Sequence, residues 1–226
     1  LTRDDSIDLL IPRGGPGLVR AVAERSSIPI IKHYEGVCSV YVDESADLAS
    51  AADIVINAKV QRPGVCNAIE NLPVHAEVAD RLLADLTPPL QEAGVEVRAC
   101  PRAIKLIAGA PAASEDDWST EYLDLVLAVK IIDSLDEAIE FINREGSGHS
   151  DSIISSNNDN AERFLSLVDS AVVYSNASTR FTDGFAFGFG AEIGISTNRI
   201  HARGPMALRE LTTYKYEVRG QGQVRD

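Results

Sequence analysis

Between residues 123 and 175 the period of the hydrophobic pattern switches four times, and few folds tolerate that. "LDLVLAVKII" (123–132) is a continuous apolar run of strand length. "SLDEAIEFINREG" then takes a helical period, with Ser134 and Glu137 spaced as a capping box and Gly146 placed as a C-cap. "DSIISS" reads as a strand, the segment through Ala161, Leu165 and Val168 as a helix, and "AVVYS" as a third strand. Strands alternating with helices of this length predict an α/β architecture with a mostly parallel sheet.

The first half is written the same way. "IDLLI" (7–11) reads as a buried strand, followed by Gly14, Gly15, a short amphipathic stretch and "IPII" (28–31). "VYVD" (40–43) precedes a helix with Leu48, Ala51, Ala52, Val55 and Ala58 on one face. After "LPV" comes a helix carrying Val78, Leu82 and Leu86, which Pro88 and Pro89 are expected to stop or kink. From about residue 176 the chain turns rich in Gly, Ser and Thr, as in a functional loop. "LTTYKYEVRG" alternates like a strand, with Thr212, Tyr214, Tyr216 and Val218 on one face, and is expected to add to a sheet edge, such as a partner subunit's.

Of the 226 residues, 45% are hydrophobic and 24% charged, ordinary for a globular protein. The net charge of −13 argues against a nucleic-acid partner. No apolar run approaches the roughly 20 residues that span a bilayer. The start lacks Met and shows no secretory leader, so the chain reads as a piece of a longer one. Three widely spaced cysteines do not form a disulfide framework, which suits the cytoplasm.

Those cysteines differ in setting. Cys38, inside "GVCSVYV", and Cys100, after "VEVRA", fit small core hydrophobes. Cys66, in "NAKVQRPGVCNAIE", lies in a turn between a helix and a strand. Backbone N–H groups converging there, with the Arg62 cation, would favour the thiolate, and the residues leave nucleophile and core both open. No metal site is expected, since there is no C-x-x-C or H-x-x-x-H and His33, His75, His149 and His201 are scattered. "GFGAEIG" spaces its last Gly one residue too far for G-x-G-x-x-G. "PRGG" after the first strand suits either a ligand's approach to backbone or a plain turn. Glu121 would cap a strand, be solvated, or hold a sugar hydroxyl.

"NAKVQRPGVCNAIENLPVH", "TEYLDLVLAVKIIDSLDEAIEFIN", "GSGHSDSII", "NASTRFTDGFAFGFGAEIGIST" and "HARGPMALRELTTYKYEVRGQGQVR" resemble, in this order, the γ-glutamyl phosphate reductases, the proline-biosynthesis members of the aldehyde dehydrogenase superfamily. "HYEGVCSVYVDESADL" is similar too, most of all to the versions in bifunctional pyrroline-carboxylate synthases. The resemblance covers essentially the whole chain and corresponds to the C-terminal half of the family. It implies residues 1–35 as the end of the cofactor-binding domain, 36–205 as an aldehyde-dehydrogenase-like catalytic domain, and 206–226 as an oligomerisation strand.

The activity it implies is NADPH-dependent reduction of L-glutamate 5-phosphate to the 5-semialdehyde with release of phosphate, through a cysteine thioester, in the cytoplasm. A homo-oligomer and a functional link to glutamate 5-kinase are implied as well. Cys66 takes the place of the family nucleophile, with Asn67 beside it as an oxyanion donor. Glu121 matches the Glu that holds the nicotinamide ribose, and Pro12, Gly14 and Gly15 lie where the cofactor approaches. Arg62 and Arg180 are candidates for the substrate's carboxylate or phosphate, and His149, Asn176, Ser178 and Thr179 for polar lining. Ser39 stands where the family usually has His. Lacking most of the cofactor domain, the chain is expected to bind NADPH poorly and to be inactive alone. The rival readings are a hydrolytic aldehyde dehydrogenase, for which Glu35 is the only nearby base, and a non-catalytic module.

Overall fold

The computed structural model describes residues 1–32 and 35–226; His33 lies outside them. Six parallel strands form the central sheet: β1 (Cys38–Val42), β2 (Ile69–His75), β3 (Glu96–Ala99), β4 (Val126–Ile132), β5 (Ser150–Ile154) and β6 (Val172–Ser175). They are ordered β3-β4-β2-β1-β5-β6. The helices are α1 (Pro16–Arg25), α2 (Leu48–Val60), α3 (Ala76–Glu92), α4 (Leu135–Glu145) and α5 (Asn158–Leu167). From β1 the chain first crosses toward β3 through α2 and α3, then back toward β6 through α4 and α5. Right-handed crossovers in opposite directions put the two helix pairs on opposite faces, and α2 packs on α3 as α4 packs on α5. Strands covered on both faces need no polar side, so β1 and β2 are buried at every position.

Several sequence expectations shift in detail. Helix α3 does not stop at its prolines but runs on to Glu92. Leu90 is buried against the core, and the Ala93 N–H bonds the Pro89 carbonyl, so tertiary packing outweighs the lost helical donors. Strand β4 begins at Val126 rather than at residue 123, because Leu123 takes a φ of 55° and turns its N–H toward Glu70. Gly146 is the C-cap of α4 with an ordinary φ of −70°; a Cβ there would stand 2.6 Å from the Ile142 carbonyl oxygen, so space and not handedness calls for glycine. Ser134 caps α4 as expected, but Glu137 returns its bond to the Asp133 N–H, one residue earlier.

The run 7–11 is not a buried strand. Only Leu10 bridges, to Ile30, and Ile7 is exposed; a single bridge cannot sustain a ladder. Leu9, Ile11 and Ile31 instead pack with Ala202 and Met206 in a small second cluster. Met206 belongs to β8 (Gly204–Met206), which pairs antiparallel with β7 (Gly194–Ser196), so the expected boundary at 205/206 falls inside β8. Tyr214 and Tyr216 share a face, with ring centroids 5.4 Å apart, but residues 213–219 form no ladder among the described residues. Among the described residues no helix is long and apolar enough to cross a membrane.

One buried ion pair ties three segments together. Lys59, in the last turn of α2, places Nζ 2.6 Å from Glu70 Oε2 on β2, and both side chains are fully buried. Lys59 also donates to the Ile69 carbonyl, and Glu70 accepts from the Leu123 N–H. Burial pushes the Glu70 carboxyl up to about 7 against the opposing pull of Lys59. Removing one member strands the other in a dry site. Lys59→Met is therefore expected to lose about 3–5 kcal/mol in urea unfolding, and the apolar double replacement Lys59→Met/Glu70→Leu to recover most of it.

Candidate active site

Cys66 sits where helix α2 has ended and strand β2 has not begun. The turn is closed by the Ala68 N–H on the Val65 carbonyl, at 3.0 Å. It is pinned from both sides. The Cys38 thiol on β1 donates to the Cys66 carbonyl at 3.2 Å. The Asn67 side-chain NH₂ donates to the Thr182 carbonyl at 2.8 Å, and the Asn67 carbonyl accepts from Thr179 Oγ1 at 2.7 Å. The segment Thr179–Thr182 thus grips the turn opposite β1. Cys66 itself remains half-buried, while Cys38 and Cys100 are core, as their strand settings suggested.

Gly36, just before β1, lies directly behind the sulfur-bearing residue. A Cβ on it would stand 2.2 Å from the Cys66 carbonyl oxygen and 2.7 Å from its Cβ. The Gly36 N–H meanwhile opposes the upward push of burial on the Glu121 carboxyl. One glycine therefore neighbours both Cys66 and Glu121. The 3-10 turn Glu115–Ser119 that leads into Glu121 is held by Asp117, which takes Arg98, Tyr122 and the Ser114 cap at once. Asn71 on β2 ties the same turn to the sheet through the Trp118 carbonyl. All of these groups approach the amino ends of β1, β2 and β4.

The charges run against the expectation of a ready thiolate. Burial pushes the Cys66 thiol up to about 11, and the carboxylates of Glu192 and Glu121 push the same way. Its own backbone N–H and Arg180 oppose them. The helpful cation is Arg180, not Arg62. Arg62 is exposed and acts instead on Arg180, whose guanidinium is lowered by burial and then by its neighbour's charge. Glu121 is itself raised, first by burial and then by Glu35, with the Gly36 N–H opposing.

Arg180 donates to Gln61 Oε1 at 2.9 Å and lines a cleft of about 230 Å³ with Asn57, Gln61 and Phe181. The residues expected as polar lining fall elsewhere. His149 is fully buried, with Nδ1 3.6 Å from Cys38 Sγ and 2.8 Å from Ser150 Oγ, so it supports the floor and does not line the cleft. Asn176 spends both ends of its amide on the Ser155 backbone. Ser178 caps the short helix Thr179–Phe181, and Thr179 is buried on Asn67. Ser39, where a His was expected, donates its backbone N–H to the buried Asp151 at 2.7 Å. Gly15 N-caps α1 with open space where a side chain would stand, while Gly14, at a φ of 150°, packs on Leu18, and Arg13 reaches Gly194 of β7. Sequence reasoning missed Gly36, Glu192 and Thr182, because their roles arise only from contacts between distant segments. Among the described residues no group of three or more His, Cys, Asp or Glu could hold a metal ion.

Gly36→Ala tests the spacing. The added methyl meets backbone, which cannot swing away, so about 1–3 kcal/mol of stability should be lost in chemical unfolding. Peptide-resolved iodoacetamide labelling should show a changed rate at Cys66 with Cys100 unaffected.

The model of the aldehyde dehydrogenase family matches residues 112–216. A γ-glutamyl phosphate reductase of Caldanaerobacter subterraneus subsp. tengcongensis is 56% identical over 219 residues, 97% of this chain and 53% of that protein. One from Moorella thermoacetica is 56% identical over 225 residues, 100% of this chain and 54% of that protein. The crystal structure of γ-glutamyl phosphate reductase from Thermotoga maritima superposes with a TM-score of 0.97 at 51% identity, over 100% of this chain and 54% of that one. The chain spans about half the length of the curated relatives it matches. Over essentially its whole length the chain is similar to γ-glutamyl phosphate reductases, and its fold is that of the aldehyde dehydrogenases.

Proposed function

We propose that the chain carries the thiol chemistry of an NADPH-dependent reductase that converts L-glutamate 5-phosphate to L-glutamate 5-semialdehyde, in proline biosynthesis. The observation that carries this reading is Cys66, half-buried in a doubly pinned turn, with the charges of Arg180 and Glu121 both acting on its sulfur. Cys66 gives its proton to solvent, and its sulfur attacks the acyl carbonyl carbon. The bond from that carbon to the phosphate oxygen breaks, phosphate leaves, and a thioester remains on Cys66. Arg180, at the mouth of the cleft, suits the anionic end of such a substrate, because a planar guanidinium matches phosphate or carboxylate. Arg62, exposed nearby, adds charge that draws an anion in.

Two features fit a nicotinamide dinucleotide. Gly15 leaves open space at the start of α1, where the Gly17 N–H has no acceptor among the described residues, which suits phosphate, and the half-buried Glu121 carboxylate keeps lone pairs for a ribose hydroxyl. NADPH, when bound, supplies the hydride that takes the thioester to the aldehyde level. Cys66 then releases the aldehyde and recovers its sulfur as thiolate or thiol. The exposed alternation at Tyr214, Tyr216 and Val218 supports pairing of the C-terminal segment with a second subunit.

The acylation half needs no cofactor and can be read alone. Incubation with acetyl phosphate should add one acetyl group at Cys66, release one phosphate, and be reversed by hydroxylamine; Cys66→Ser should take up no thioester. Acetylation that ignores Cys66 would sink the reading. Because the thiol is pushed up to about 11, its alkylation rate should climb with pH toward a midpoint near 11, whereas a free thiol has its midpoint at about 8.5. Glu192→Gln removes a carboxylate and should move that midpoint down.

A further inference from the structure

Cys38 looks like a plain core residue until the direction of its bond is considered. Its sulfur is fully buried on β1 and donates to the Cys66 carbonyl at 3.2 Å; His149 Nδ1 is farther, at 3.6 Å. The Cys66–Asn67 peptide is trans. In a trans peptide the carbonyl and the following N–H point in opposite directions. A carbonyl drawn inward toward β1 therefore sends the Asn67 N–H outward, away from β1. No acceptor for that N–H exists among the described residues. The neighbouring peptide is fixed as well, since the Asn67 carbonyl takes Thr179 Oγ1. Gly36 lets the carbonyl lie this close to β1, where a Cβ would collide with it.

Resting on Cys66 as the acyl-accepting nucleophile, we propose that Cys38 is a positioning residue whose buried thiol orients the Cys66–Asn67 peptide, so that the Asn67 N–H serves as an oxyanion donor to the acyl group on Cys66. The donor role requires Cys38 to keep its proton. Burial and the carboxylate of Asp151 hold the thiol well above the usual range, so it does. A tetrahedral adduct at Cys66 develops charge on oxygen and gains from a preset N–H; direct substitution at a saturated carbon develops none.

That difference supplies the test. Cys66 in the whole chain is acylated with p-nitrophenyl acetate and, separately, alkylated with iodoacetamide, with each rate read by peptide mass spectrometry. Cys38→Ala should lower the ratio of acylation to alkylation at Cys66 by about tenfold or more, and Cys38→Ser, which keeps a donor, should restore much of it. Cys38→Val and Cys38→Thr form a second pair, equal in shape and differing only in the donor, for use if the smaller side chains prevent folding. An unchanged ratio in the Ala and Val variants, or Ser and Thr variants no better than their apolar counterparts, would overturn the proposal. A wild-type Cys66 that is alkylated but never acylated would overturn the nucleophile reading itself, and this one with it.

Discussion

Lys59 and Glu70 meet inside the protein with no water to share their charge, and the candidate site is built around that meeting. The pair spans the turn that carries Cys66, joining the last turn of α2 to the second residue of β2. Its spare carboxylate oxygen receives the Leu123 N–H, which stops β4 from starting early and leaves the segment through Glu121 free to fold over the sheet edge. Desolvating two charges is unfavourable by itself, and such pairs are often no more stable than an apolar substitute. What this one supplies is registration. Two loops distant in sequence are held to one point at the floor of the site.

That floor lies at the amino ends of the parallel strands. Open α/β sheets generally bind ligands beyond the carboxyl ends. Here the carboxyl side near β1 and β5 is filled with structure: Asp43 takes Tyr41, Ser45, Ser155 and Asn160 and has its carboxyl held below the ordinary value by those hydroxyl and amide donors. At the amino side the backbone is looser. The turn at Cys66, the glycine at 36 and the approach to Glu121 present backbone groups that no ladder consumes.

Burial, more than any single neighbour, sets the state of the sulfur. Arg180 stands opposite two carboxylates, Glu192 and Glu121, and does not offset them, so in this structure Cys66 is a thiol. Arg180 in its cleft and the exposed Arg62, whose charge acts on it, polarise this face toward anions while the sulfur remains protonated. The hydrogen bonds around the turn thus govern geometry, and electrostatics governs when the sulfur becomes reactive.

From β1 to β6 the order of strands and helices was legible in the sequence because periodicity reports burial, and burial on both faces of a parallel sheet leaves apolar runs such as "VLAVKII"; outside that sheet, at 7–11, β7, β8 and the C-terminal segment, it was not. The setting of Cys66 was legible too, since a cysteine after Pro-Gly and outside any apolar period reads as a turn residue, and it is half-buried where Cys38 and Cys100 are buried. Other residues were misread because their roles depend on partners more than a hundred positions away. His149, with the polarity of a lining residue, lies sealed against Cys38, 111 positions away. Likewise the cation near the sulfur proved to be Arg180, 114 positions along the chain, and not Arg62 beside it. Local sequence determined which segments are strands, helices and turns, because those depend on near neighbours and on which face is dry. Only the tertiary structure decided which thiol, carboxylate and guanidinium meet, because hydrogen bonds and charges act over a few ångströms of space, whatever the distance along the chain.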